Sequence, residues 1–315
     1  MPFEVVTFGE TMLRLSPPNH QLIEQATTLD LFVGGSESNV AVGLSRLGVK
    51  SAWFSALPDN ALGHYVSSKI AAQGVDTSFI VWSTEGRLGQ YWVEQGASPR
   101  TSQVVYDRAH TAISQMTPDQ LPKALFEADG VKLLHLSGIT PALSPHAAET
   151  TLQALTLAKR AGWQVSFDLN YRAKLWDREA ARAGCLPFIQ QADIVFAPQR
   201  DIQQIYGFDD VAQFHALCPQ SLVVMTVGSD GAIAHLPDGT TYHESALNAS
   251  IVDRIGAGDA FVAGFLSQYV SENFDLQQAL HWANACAALK YTIPGDMPLL
   301  SKNDVLASGS QHIHR

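Results

Sequence analysis

The chain has 315 residues, 46% of them hydrophobic and 16% charged, so it carries enough apolar surface for a core and is not a disordered polypeptide. Its 20 Lys and Arg against 30 Asp and Glu leave a formal net charge of −10, without the basic field that a nucleic-acid partner requires. The cysteines, Cys185, Cys218 and Cys286, are widely spaced with no Cys-x-x-Cys or Cys/His cluster, which argues for reduced, buried thiols and against a disulfide framework or a zinc site. The Met1-Pro2-Phe3-Glu4 start lacks a signal peptide's basic flank and apolar run. No apolar stretch approaches the ~20 residues that cross a bilayer, so a cytoplasmic protein with no membrane partner is expected.

Residues 5–8 read as a first strand ending at Gly9. A helix is expected over about 39–47, with Ser36 or Ser38 available as caps and Gly48 as its stop. A strand at 51–56 precedes a helix from about Asp59, in which Leu62, Val66 and Ile70 recur every four residues before Gly74. The rhythm then breaks: 89–94 and 103–107 read as extended segments joined by Gly96-Ala97-Ser98-Pro99, an antiparallel hairpin with which 12–16 could pair. Such a small sheet, formed by about 11–16 and 87–108, is a plausible lid over a cleft. Strands at 133–137, 164–169, 194–197 and 222–227 follow, the first two separated by a helix over 145–161. A hairpin at 232–242 turns around Pro237-Asp238-Gly239. A short strand at 250–252, an apolar helix to about Val270 and a helix at 276–289 complete the pattern. Strands alternating with helices indicate βαβ units and a mostly parallel sheet in one α/β domain.

The chemistry concentrates in Asp253-Arg254-Ile255-Gly256-Ala257-Gly258-Asp259. Gly256 and Gly258 permit a tight turn at a helix N-terminus, where free N–H groups and the helix dipole favour phosphate or developing negative charge. A carboxylate inside such a nest makes sense as a proton acceptor beside a transferring phosphoryl group, although a helix cap is the plainer role.

The Gly256-Ala257-Gly258-Asp259 run resembles the C-terminal signature of the ribokinase/PfkB family of carbohydrate kinases. Gly34-Gly35-Ser36-Glu37-Ser38-Asn39-Val40-Ala41, with Leu44-Ser45-Arg46-Leu47-Gly48, is similar to its N-terminal signature. The resemblance spans the chain and implies a ribokinase-like mostly parallel sheet flanked by helices, with a small antiparallel β lid over the substrate cleft. It also implies ATP with Mg2+, Asp259 as the base and the Gly256, Ala257 and Gly258 backbone as an anion hole. Gly34, Gly35, Ser36 and Asn39 would approach the sugar.

Three further stretches resemble the 2-dehydro-3-deoxygluconate kinases within that family: 134–145, Asp168-Leu169-Asn170-Tyr171-Arg172 with Leu175-Trp176, and Tyr106-Asp107-Arg108. The planar fork of Arg108 suits a substrate carboxylate, with Tyr91 and Tyr106 at same-face positions on the paired lid strands. By the same resemblance Asn170 and Arg172 lie near the ATP phosphates and the substrate, Thr226, Gly228 and Gly231 form a nucleotide-binding turn, and Asn284 faces adenine. Two departures stand out. Arg254 replaces a frequent Thr, and Pro198-Gln199-Arg200-Asp201 stands where the family has Asn-x-x-Glu. Pro198 lacks the amide and Asp201 is a methylene shorter, so magnesium is expected to be held chiefly by ATP oxygens and water.

The implied reaction is phosphorylation of 2-dehydro-3-deoxy-D-gluconate at its 6-hydroxyl. A fructokinase or other keto-sugar kinase is the same-class alternative, and a non-catalytic sugar or nucleotide sensor the alternative from another class. No Gly-x-Gly-x-x-Gly follows the first strand, which argues against a dinucleotide-dependent dehydrogenase. Exposed lid edges, with the resemblance, lead to an expected homo-oligomer.

Overall fold

The computed structural model describes residues 3–308. Val5–Phe8 and Leu133–Ser137 are buried along their whole length, as strands covered on both faces must be, and they pair in parallel. From edge to edge the large sheet runs Thr241–Glu244, Ala232–His235, Leu222–Thr226, Ile194–Phe196, Gln164–Asp168, Leu133–Ser137, Val5–Phe8, Ser51–Phe54. Its members are parallel except for the hairpin Ala232–His235/Thr241–Glu244, which adds antiparallel strands at one edge. Short polar side chains start the flanking helices: Asn60 accepts from the Leu62 and Gly63 amides, Ser144 from Ala147 and Asp275 from Gln278.

The apolar helix Ala257–Tyr269 is buried along most of its length, packed between Ser36–Arg46 and Leu276–Tyr291. That packing brings the N-termini of Ser36–Arg46 and Ala257–Tyr269 to one place. The cores on the two faces of the large sheet are separate: Phe8, Phe54, Phe167 and Phe188 lie in one, Val5, Leu133, Phe196 and Phe265 in the other.

The expected hairpin forms between Gln90–Glu94 and Gln103–Asp107, and Met12–Ser16 pairs with it in parallel. Asp30–Gly34, a segment the sequence reading left without an element, adds an antiparallel strand on the other side of Met12–Ser16 and leads directly into Ser36–Arg46.

The structure corrects other details. The helix expected over 39–47 is Ser36–Arg46, and its cap is Gly35 with no side-chain bond; Ser36 and Ser38 are committed elsewhere. The segment 51–56 divides, Ser51–Phe54 staying in the large sheet while Ala56–Pro58 pairs with Val81–Ser83. No strand forms at 250–252. The Val252 and Asp253 amides both donate to the Tyr291 carbonyl, at 2.8 and 3.0 Å, so the end of a helix takes the bonds a ladder would need.

Candidate active site

Glu10 follows the strand Val5–Phe8, Asp168 ends Gln164–Asp168, and Thr226 ends Leu222–Thr226. These carboxyl ends of the parallel strands, with the small sheet and the 254–258 turn, enclose a cavity of about 710 Å³. Ligands of open α/β sheets gather at such strand ends.

Asp259 lies at the third position of Ala257–Tyr269, buried at 9% exposure, in the wall of the cavity. It does not cap the helix; Gly256 holds the cap position in the left-handed region, with φ 83°. Its carboxylate instead accepts from Ser36 Oγ at 2.8 Å and from Asn39 Nδ2 at 2.7 Å, one bond to each oxygen. Those donors occupy the first turn of Ser36–Arg46, so the two glycine-led signatures meet through this carboxylate. Burial raises its pKa, while the Asn39 and Ser36 hydrogen bonds and the Arg172 and Lys290 charges oppose the rise.

Asn170 extends the network. Its φ of 37° is in the left-handed region, which Asn tolerates better than most residues. From there Nδ2 donates to Ser36 Oγ at 2.8 Å and to Asp168 Oδ2 at 3.2 Å. Asp168 is pushed well above the usual carboxylate range by burial, then by the neighbouring Asp259 and Asp201 charges. Glu37, beside this network, is fully buried; its carboxylate accepts from Ser137 Oγ at 2.7 Å and Thr140 Oγ1 at 2.9 Å. Burial raises it to about 7.

The Gly256-Ala257-Gly258 turn lines the cavity beside Asp259. A Cβ at Gly256 would collide with the Asp296 carbonyl oxygen, whereas a Cβ at Gly258 would meet nothing within 4 Å. Gly258 therefore faces open space, into which the amides at the helix N-terminus direct their partial positive charge. Arg254 is exposed on the cavity wall, adding charge on the same side.

Opposite stands the small sheet. Tyr91 and Tyr106 are directly paired across its strands, with ring centroids 5.6 Å apart. The Tyr91 hydroxyl donates to Asp296 Oδ1, and the Arg108 guanidinium lies 5.4 Å from the Tyr106 ring centroid. Arg108 is not free: Nε donates to Glu10 Oε2 at 2.9 Å and Nη2 closes an ion pair on the same oxygen. Arg172 is half-buried, also lines the cavity, and bonds only weakly to its neighbour's Tyr171 carbonyl at 3.4 Å.

Of the residues the sequence reading singles out, the structure brings Gly34, Gly35, Ser36, Asn39, Tyr91, Tyr106, Arg108, Asn170, Arg172, Thr226, Gly228, Gly256, Ala257, Gly258 and Asp259 together on this cavity wall. Gly231 and Asn284 lie outside it. Gly231 is buried against the Glu244 backbone, and Asn284 Nδ2 donates to the Glu244 carbonyl at 3.1 Å. Glu10, Asp168 and Asp296 line the cavity although the sequence reading gives them no role. Glu10 and Asp168 had a readable signal, a carboxylate at the carboxyl end of a core strand; Asp296 follows no motif. No group of three or more His, Cys, Asp or Glu among the described residues can cage a metal. Asp201 is engaged by Arg200 and by the Tyr171 amide at 3.0 Å. Such a wall fits a magnesium ion carried by nucleotide phosphates and water better than one held by a protein cage.

A family model described as pfkB family carbohydrate kinase matches residues 3–303. The chain is 41% identical to a 2-dehydro-3-deoxygalactonokinase of Haloferax volcanii, covering 97% of this chain and 96% of that protein. It is 29% identical to a 2-dehydro-3-deoxygluconokinase of Bacillus subtilis, covering 98% and 95%. Among solved structures, a 2-dehydro-3-deoxygluconokinase from Thermotoga maritima superposes with a TM-score of 0.91 at 35% identity, covering 98% of this chain and 99% of that one.

Proposed function

The chain belongs to the pfkB family of carbohydrate kinases, and from that membership we propose that it transfers the γ-phosphoryl group of ATP to the 6-hydroxyl of a 2-dehydro-3-deoxy sugar acid. The observation that carries the reading is the Asp259 carboxylate, held by Ser36 and Asn39 beside the open face of the Gly256–Gly258 turn. Asp259 accepts the hydroxyl proton as the sugar oxygen bonds to the γ-phosphorus. The bond from that phosphorus to the β–γ bridging oxygen breaks, and its electron pair leaves with ADP. The two hydrogen bonds use one lone pair on each carboxylate oxygen and leave others for the incoming hydroxyl. The amides of the turn and the helix dipole stabilise the charge on the transferring group. Magnesium, when bound with ATP, supplies further charge neutralisation on the phosphates.

Arg108 and Arg172 are the cations facing the substrate side, and a carboxylate held there fixes which hydroxyl reaches Asp259. The small sheet acts as the lid, within a single domain. The relatives' names bracket the gluco and galacto epimers, which differ at one hydroxyl. The Arg108–Glu10 pair favours a second reading, a neutral keto-sugar kinase, because it already satisfies the guanidinium. A panel of both 2-dehydro-3-deoxy acids, fructose and neutral keto-sugars, assayed for ADP release, decides: the acids should exceed fructose in kcat/KM at least tenfold, and the reverse ranking sinks the sugar-acid assignment.

Exposed Leu31 and Val105 on the outer strands of the small sheet support a homo-oligomer, which light scattering would size. No helix among the described residues is long and apolar enough to cross a membrane, and the buried free thiols suit the cytoplasm.

A further inference from the structure

Behind the Gly256–Gly258 turn the chain buries an ammonium that the reaction as described leaves without a task. Lys290, in the last turn of Leu276–Tyr291, is 0% exposed. Its Nζ donates to the Ile293 carbonyl at 2.9 Å, and its Cε would lie 3.3 Å from a Cβ placed on Gly256. Burying a cation is costly unless it is compensated. Burial lowers the Lys290 pKa; the Asp253, Asp296 and Asp259 carboxylates oppose that, and the neighbouring Arg14 cation adds to it.

Arg14 Nη1 is 2.8 Å from Asp253 Oδ2 and 3.0 Å from Asp296 Oδ2. Asp253 in turn accepts from the Ile255 and Gly295 amides, each at 3.1 Å. The turn and the 293–296 loop are therefore fastened to one buried charge cluster. Remove the lysine and Asp253 and Asp296 keep only Arg14, while Asp259 keeps only Arg172, directly behind the amides that must attract phosphate.

We propose that Lys290 is a positioning residue for phosphoryl transfer: its buried ammonium balances the buried carboxylates behind the Gly256–Gly258 turn, keeping Asp259 ionised and the anion hole attractive to phosphate. This rests on the reading of Asp259 as the base. A purely structural lysine would cap its own helix and affect stability alone.

The test compares Lys290→Met, which keeps the length and removes the charge, with Lys290→Arg, which keeps the charge. kcat and KM for ATP are measured from pH 5 to 9, with Asp259→Asn as the control. The groups around Asp259 that also titrate or carry charge are Arg172, Asp168 and Glu37, and Lys290 is not among the charges acting on Asp168 or Glu37. Losing the lysine charge acts on Asp253, Asp296 and Asp259, of which Asp259 is the proposed base. The acid limb of kcat should move up by about half a pH unit or more, with kcat at its plateau down about tenfold. Lys290→Arg should keep the wild-type limb.

A folded Lys290→Met with an unchanged limb and kcat overturns the proposal, as does a Lys290→Arg whose limb moves as far. If Lys290→Met does not fold, Lys290→Arg decides: the wild-type limb with at least a tenth of kcat supports the charge, and failure as complete as that of Lys290→Met overturns it. An Asp259→Asn enzyme with full activity would instead overturn the reading of the base, whatever Lys290 does.

Discussion

As the proposed base, Asp259 has to be buried enough to be dry and ionised enough to accept a proton, and burial opposes the second requirement. The hydrogen bonds from Asn39 and Ser36 and the Arg172 and Lys290 charges are what keep the two compatible. Asp259→Asn keeps the volume but cannot take the proton, so kcat should fall about 10³-fold while ATP binding, read by calorimetry, survives. A variant still turning over at a tenth of the wild-type rate would remove the base assignment.

Glu37 gives a residue-scale prediction on stability. Its folded pKa, about 7, is raised above the ordinary 4.5, so the protonated group's contribution is fully present below pH 4.5 and lost as the pH rises through about 7. Glu37→Gln keeps an acceptor for Ser137 and Thr140 and cannot ionise. Its urea midpoint should change less than that of the wild type between pH 5 and 8. Equal slopes for the two proteins would mean that Glu37 does not titrate in that window.

At this scale the sequence was most legible where a signature states both partners: Asp259 and Asn39 belong to the two glycine-led motifs. Arg108 was legible as a cation but not as half of a pair, because nothing in the spacing announces that Glu10 reaches it. Arg14, Lys290 and Asp296 were silent, since an ion cluster assembled from segments this far apart has no local pattern.

Among elements, the 253–259 turn carries the most consequence per residue. Gly256 and Gly258 look equivalent in the sequence, and the structure separates them. Gly256→Ala places a Cβ against the Asp296 carbonyl at a left-handed φ of 83°, so both stability and kcat should drop. Gly258→Ala has room to fold; its methyl enters only the open space to which the proposed mechanism assigns phosphate. The expected outcome is a melting temperature within about 2 °C of wild type and a kcat lowered at least tenfold. A Gly258→Ala enzyme of normal kcat would mean that the open space is not the phosphate path.

The elements themselves were readable where the signal was local, as in Ala61–Ala71, where Leu62, Val66 and Ile70 recur every four residues, and in the Gln90–Glu94/Gln103–Asp107 hairpin around its Gly–Pro turn. They were misread where tertiary bonds replaced local ones. The β-branched run at 250–252 has strand chemistry but spends its amides on Tyr291, and Asp30–Gly34 becomes a strand only because Met12–Ser16 offers it an edge.

For the molecule as a whole, a net charge of −10 and an anionic cavity ligand coexist because cations are placed rather than abundant. Arg14 is fully buried and joins the small sheet to Asp253 and Asp296 in the body, so Arg14→Met should lower the unfolding free energy by about 3 kcal/mol, measured with urea. A loss below about 1 kcal/mol would mean that the carboxylates find other partners.

The small sheet is not an appendage on one stalk. The chain passes between it and the rest of the body at residues 9–11, at Gly35, along 84–89 and at 108–111. Glu10, Gly35 and Arg108 lie on those crossings and also on the cavity wall. Strand crossings and cavity wall are therefore made of the same residues. A ligand that drew Arg108 away from Glu10 would break the contact between one crossing and another, so a substitution made at either position to change what the cavity binds also changes how the small sheet is tied to the body.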